Sequence, residues 1–111
     1  MNAFKYVIEF LKVNECSICV DSLKSAKAAA KGGANRIELC SALKLGGLTP
    51  TTGLLKTIKR DPEIKIDIYC MIRPRGGDFI YDEYEMETIL EDIKVLNEFG
   101  ADGFVFGALT K

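Results

Sequence analysis

Two stretches of this chain repeat one pattern, and that repetition limits the available folds more than any other feature. Lys31-Gly32-Gly33-Ala34-Asn35 runs into the β-prone Arg36 to Cys40, and Glu98-Phe99-Gly100-Ala101-Asp102 runs into Gly103 to Phe106. Each reads as a helix ended by glycine, then alanine and a polar residue, then a strand, as expected of βα units in series. The rest of the chain fits the same alternation. Ser17 to Asp21 is short and β-prone, and Ser22 is a helix N-cap ahead of Leu23, Ala26 and Ala30 at helical spacing. Thr49-Pro50 reads as a cap with proline at the first helical position, and Leu54, Leu55 and Ile58 mark a short helix. Ile64 to Arg73 is the clearest strand. Met86, Ile89, Leu90, Ile93 and Leu96 form a helical stripe, opened by Asp82 with Glu85 three residues on and closed by Gly100.

Crossovers of this length are right-handed and join parallel strands, so the expected class is α/β with about four parallel strands and three intervening helices. A closed eight-unit barrel takes roughly 250 residues; 111 residues supply about half of one. Residues 16–111 are read as that half-barrel, and residues 1–15 as an N-terminal extension. Within the extension, Phe4, Val7, Ile8 and Leu11 share a helical face, and a short helix is expected there.

Composition removes several function classes. Hydrophobic residues make up 48% and charged residues 28%, which is ordinary for a globular chain and excludes disorder. Fifteen basic residues against sixteen acidic ones leave a net charge of −1, so nothing here provides the electrostatic footprint of a nucleic-acid binder. The apolar run from Phe4 to Val13 carries Lys5, Glu9 and Lys12 and falls short of the roughly 20 apolar residues a bilayer span needs. No small-residue cleavage site follows it, so a cytoplasmic protein without a membrane partner is expected. The four cysteines are then expected as thiols rather than disulfides. With no histidine in the chain, any metal site must use thiolate, thioether or carboxylate.

Strand parity sorts those groups into two faces. Ile18 and Val20, Ile37 and Leu39, and the run Ile66, Ile68, Cys70 and Ile72 belong to the helix-covered face. The opposite face, directed into the barrel, collects Ser17, Cys19 and Asp21, then Arg36, Glu38 and Cys40, then Asp67, Tyr69, Met71 and Arg73. Cys19, Cys40 and Met71 thereby come near the C-terminal ends of successive strands, where TIM barrels place their sites. Two thiols and a thioether are soft donors suited to Cu(I); packing as small hydrophobes is the competing role of buried cysteine. Cys16 and Cys19 look like a C-x-x-C motif, but residues three apart on a strand face opposite ways, which disfavours joint chelation.

Arg73-Pro74-Arg75-Gly76-Gly77-Asp78 offers a second chemistry. Arg73, Arg75 and the amides of Gly76 and Gly77 suit an anion. The alternative is a rigid loop whose arginines pair with Asp78, Glu38 or Asp21. Glu38 would serve as a general base if burial raised its pKa, or as an arginine's partner. Gly46-Gly47-Leu48-Thr49-Pro50 is open to the same two readings, an anion cradle at a helix N-terminus or a plain cap.

"ICVDSLKSAKAAAKGGANRIELCSALKLGGLTPTTGLLK" from Ile18, "MIRPRGGDF" from Met71 and "GADGFVFGALT" from Gly100 resemble, in order and spacing, the CutC family of copper homeostasis proteins. The resemblance implies a TIM-barrel fold, a role in copper tolerance and Cu(I) as the bound ion, with the ligand cysteines matching Cys19 and Cys40. Two departures stand out: Cys16-Ser17 replaces the family's Leu-Glu, with Met1 to Glu15 matching nothing in the pattern, and the second half of the expected barrel, with any ligands or catalytic groups on its later strands, is missing. The expected function is Cu(I) binding by Cys19, Cys40 and Met71, supported by Asp21, Glu38 and Asp78, without catalysis. The alternatives are an enzyme-like barrel that binds an anionic metabolite and an inactive truncated isoform. An open parallel edge predicts association of copies.

Overall fold

The two repeated junctions each do a double task in the structure, a computed structural model that describes residues 4–5 and 16–108. Strand β1 is Phe4–Lys5, β2 is Ser17–Val20, helix α1 is Leu23–Lys31 and β3 is Arg36–Leu39. Helix α2 is Thr52–Arg60, β4 is Asp67–Ile72, α3 is Glu83–Glu98 and β5 is Gly103–Ala108. At the end of α1, Gly33 adopts φ +92° and lets the Ala34 N–H turn back to Ala29 O at 3.1 Å. At the end of α3, Gly100 has φ +100° and the Ala101 N–H returns to Leu96 O at 3.1 Å. Only glycine enters that conformation at little cost, so each helix stops where its glycine stands. The polar residue that follows then clamps a neighbouring strand. Asn35 Oδ1 accepts the Cys16 N–H at 2.6 Å, and Asp102 Oδ2 accepts the Ile68 N–H at 2.8 Å.

Helix starts are equally local. Ser22 Oγ accepts the Ser25 N–H at 3.1 Å. Asp82 and Glu85 form a reciprocal capping box, with the Glu85 N–H on Asp82 Oδ1 at 2.8 Å and the Asp82 N–H on Glu85 Oε1 at 3.1 Å. The start of α2 departs from expectation. Thr51, not Thr49, is its cap and accepts the Leu54 N–H at 3.1 Å, so Pro50 lies before the helix. Thr49 is instead drawn to β4: its N–H donates to Arg73 O at 3.0 Å, and its Oγ1 accepts the Arg73 N–H at 2.9 Å.

The sheet runs in the order β1-β5-β4-β3-β2, with β2 through β5 parallel. Four parallel strands alternating with three helices make half of a TIM-type barrel, as the sequence predicts. Helices cover one face, where Ile37, Leu39, Ile68, Cys70 and Ile72 pack against Leu55, Ile58, Ile89 and Leu96, all at most 2% exposed. Full burial of side chains this size contributes about 1.5–3 kcal/mol each. Two residues assigned to that face are not covered. Ile18 is 38% exposed because β2 is the edge strand, and Leu90 is 62% exposed because it lies about 100° round α3 from the buried Ile89. Phe4–Lys5, expected to open a helix, pairs antiparallel with β5, Phe4 opposite Ala108 and Lys5 opposite Gly107. The remainder of that expected helix lies outside the described residues. No described helix is long and apolar enough to cross a membrane.

Candidate functional site

Parallel pairing turns the inward face of the sheet into level rows. Cys19 pairs with Glu38, Glu38 with Tyr69, and Tyr69 with Gly103. One row nearer the C-terminal ends stand Cys40, which directly follows β3, then Met71 and its partner Val105. The lower row is polar and closely packed. Ser17 Oγ donates to Glu38 Oε2 at 2.7 Å, Arg36 Nε donates to Ser17 Oγ at 3.4 Å, and the Arg36 guanidinium lies 4.3 Å over the Tyr69 ring. Gly103 is required beside that ring, since a Cβ there would come within 2.6 Å of it.

The upper row holds sulfur. Cys40 is fully buried, its N–H donates to Val20 O at 3.0 Å, and its thiol donates to the same carbonyl at 3.6 Å. Above it, Ala42 to Gly47 form a tight turn, with a 3-10 segment at Leu43–Leu45 and positive φ at Ala42, Gly46 and Gly47. A Cβ on Gly47 would lie 2.7 Å from Met71 Sδ and 3.4 Å from Cys40 Sγ. The two sulfurs therefore lie beneath one glycine, separated by no more than the sum of those distances. Cys19 sits a row lower on the edge strand and is exposed. It is close enough to act on Cys40 electrostatically: burial first, then Cys19, Asp21 and Glu38, push the Cys40 thiol up to about 11 from an ordinary 9.0. Burial, then Glu38, also raises Cys19. Both groups are thus thiols at neutral pH. Among the described residues no three of His, Cys, Asp and Glu cluster as a metal site; the Met71 thioether is the further sulfur beside Cys40.

The remaining cysteines are elsewhere. Cys70 lies under the helices, pushed up to about 12 mainly by burial; Cys16 is exposed and precedes β2.

Arg73 and Arg75 sit in the loop after β4, and their partners differ from those expected. Arg75 Nε pairs with Glu85, Nη1 donates to Gly76 O and Asp78 O at 3.1 and 3.0 Å, and Nη2 donates to Ile80 O at 2.7 Å and Asp78 Oδ1 at 3.2 Å. Asp78 was an expected partner; Glu85 was not. Arg73 reaches neither Glu38 nor Asp21. Its Nη1 donates to Leu45 O at 3.2 Å and its Nη2 to Gly77 O at 3.0 Å, with the guanidinium 4.9 Å from the Phe79 ring centre. Asp21 Oδ2 accepts the Leu43 N–H at 3.4 Å. Gly46-Gly47, read as an anion cradle or cap, belongs to neither, because α2 starts later and the two glycines cover sulfur and Arg73. Met71, Arg73, Phe79, Val105 and Gly107 border a cleft of about 160 Å³ at this mouth. A larger groove of about 730 Å³ between α1 and the loop after α2 is lined by Lys27, Lys31, Pro62 and Lys65 and contains no thiol.

The sequence profile of the CutC family matches residues 14–111. A copper homeostasis protein cutC homolog of Drosophila melanogaster is 60% identical over 93 residues, covering 83% of this chain and 35% of that protein. The Homo sapiens homolog of the same name is 52% identical over 94 residues, covering 85% of this chain and 34% of the homolog. A solved CutC structure from Streptococcus agalactiae superposes with a TM-score of 0.79 at 36% identity, covering 87% of this chain and 47% of that one. The chain thus spans about a third of the length of these curated relatives and about half of the solved one.

Proposed function

The chain belongs to the CutC family, and from that premise we propose that it serves copper homeostasis in the cytoplasm by holding Cu(I) as cargo on Cys19 and Cys40, with Met71 as a third sulfur. The observation that carries this reading is the convergence of Met71 Sδ and Cys40 Sγ under Gly47, with the Cys19 thiol near enough to shift Cys40. Soft donors and no imidazole favour Cu(I) over zinc. A holding role needs no general base, and Glu38 is engaged by Ser17. The anion-binding alternative draws less support, because all three guanidinium nitrogens of Arg75 already have partners within the loop and α3.

Reduced protein titrated with Cu(I) against a competing chelator tests the proposal. The Cys19→Ser, Cys40→Ser double variant should lose at least about a hundredfold in affinity, and Met71→Leu about tenfold. Affinity should rise with pH across the neutral range. Both thiols have raised pKa values and are protonated there, so protons compete with the ion. Release of both gives a rise of up to about a hundredfold per pH unit. Unchanged affinity in the double variant sinks the proposal.

A further inference from the structure

We propose that Arg73 is a latch that holds the Ala42 to Gly47 turn closed over Cys40 and Met71, and so controls access to that sulfur pair; the inference deepens the copper reading and rests on it for its purpose, though not for its geometry. The turn is built as a flap on a narrow hinge. At its base Ser41 and Leu48 form an isolated antiparallel bridge, with both N–H to O distances at 2.8 Å. Ser41 Oγ adds a bond to Thr49 O at 2.9 Å. Beyond the hinge the flap folds on itself: the Leu45 N–H donates to Ala42 O, and the Gly47 N–H to the same carbonyl at 3.2 Å. Leu43 and Leu45 on its outer side are 38% and 63% exposed, so little burial holds the flap down.

Among the described residues two polar contacts tie the flap to the rest of the fold. The Leu43 N–H meets Asp21 at the long distance of 3.4 Å, and Arg73 Nη1 meets Leu45 O at 3.2 Å. Arg73 is the better-anchored partner. Its backbone N–H and C=O are both bonded to Thr49 just past the hinge. Its Nη2 holds Gly77 O across the mouth, and its guanidinium carbon lies 4.9 Å over the Phe79 ring centre. One side chain thereby ties the flap to the loop after β4. The double glycine makes the fit possible: a Cβ on Gly46 would come within 2.9 Å of Arg73 Nη1, and one on Gly47 within 2.7 Å of Met71 Sδ. Closed, the flap leaves Cys40 with no exposed surface, so an ion or electrophile must wait for it to open. Opening breaks the Arg73 bond to Leu45 O.

The rate at which each cysteine of the native, reduced 111-residue chain is alkylated by iodoacetamide, resolved by peptide mass spectrometry, reads this directly. Cys70 is equally buried but lies under the helices, so it reports opening of the whole fold. In Arg73→Met, which keeps the apolar stem and removes the donors, Cys40 should react about tenfold faster with Cys70 unchanged. Arg73→Lys, with one ammonium able to reach one carbonyl, should fall between. The inference is overturned if Cys40 keeps its rate in Arg73→Met, or if Cys40 and Cys70 accelerate together. Neither result depends on copper. Failure of the Cu(I) titration alongside an accelerated Cys40 would remove the cargo and leave the latch, whereas tight copper binding with an unaltered Cys40 rate would do the reverse.

Discussion

Single residues at the barrel mouth show how chemistry and strain share the same few positions. Gly47 stands at φ +93° with two sulfurs close to where a Cβ would be, so alanine there meets both backbone strain and a clash. Tyr81 presents a different case. It is 2% exposed, stacks with Phe106 at 6.4 Å and lies under the Arg75 guanidinium, yet among the described residues its hydroxyl has no hydrogen-bond partner. A buried hydroxyl without a partner forfeits its bonds to water, so its removal is stabilising. Tyr81→Phe should raise the unfolding free energy by about 1 kcal/mol in urea melts, with an unchanged m-value. A destabilised variant would mean that the hydroxyl is bonded in solution.

Among the elements, the junction before β5 ties three of them together through one side chain. Asp102 Oδ2 accepts the Ile68 N–H from β4 and the Lys59 ammonium from α2, at 2.8 and 3.0 Å. One carboxylate therefore joins β5, β4 and α2. Asp102→Ala should cost about 1–2 kcal/mol, a partly exposed charged acceptor being worth less than a buried one. Equal stability of variant and parent at pH 7 in thermal or urea melts would show that the junction holds without it. The equivalent Asn35 lacks a charge and clamps only Cys16, so its removal should cost less.

At the scale of the whole molecule the open sheet dominates. The outer edge of β2 has no strand partner among the described residues and displays Ile18 and Cys19. The other edge, on β5, is met by β1 over only two residues. An exposed parallel edge with an apolar side chain invites pairing with another chain. Size-exclusion chromatography with light scattering should show association that rises with protein concentration, and Ile18→Lys should shift it towards one chain. A monodisperse single chain at high concentration would contradict this.

The amino-acid sequence determined the α/β class, the parallel order, the extents of α1 and α3 and the inward parity of Cys19, Cys40 and Met71. These follow from capping residues, glycine stops and period-two alternation, which act within a few neighbours. It could not determine that Thr49 caps a strand's end rather than a helix, that Arg75 takes Glu85, or that Leu90 and Ile18 stay uncovered. Nor did it show that Gly47 closes over the sulfur or that Arg73 reaches Leu45. Each of these depends on which side chain arrives from a distant segment. That is set by how far adjacent strands are offset, and only the packed sheet decides it.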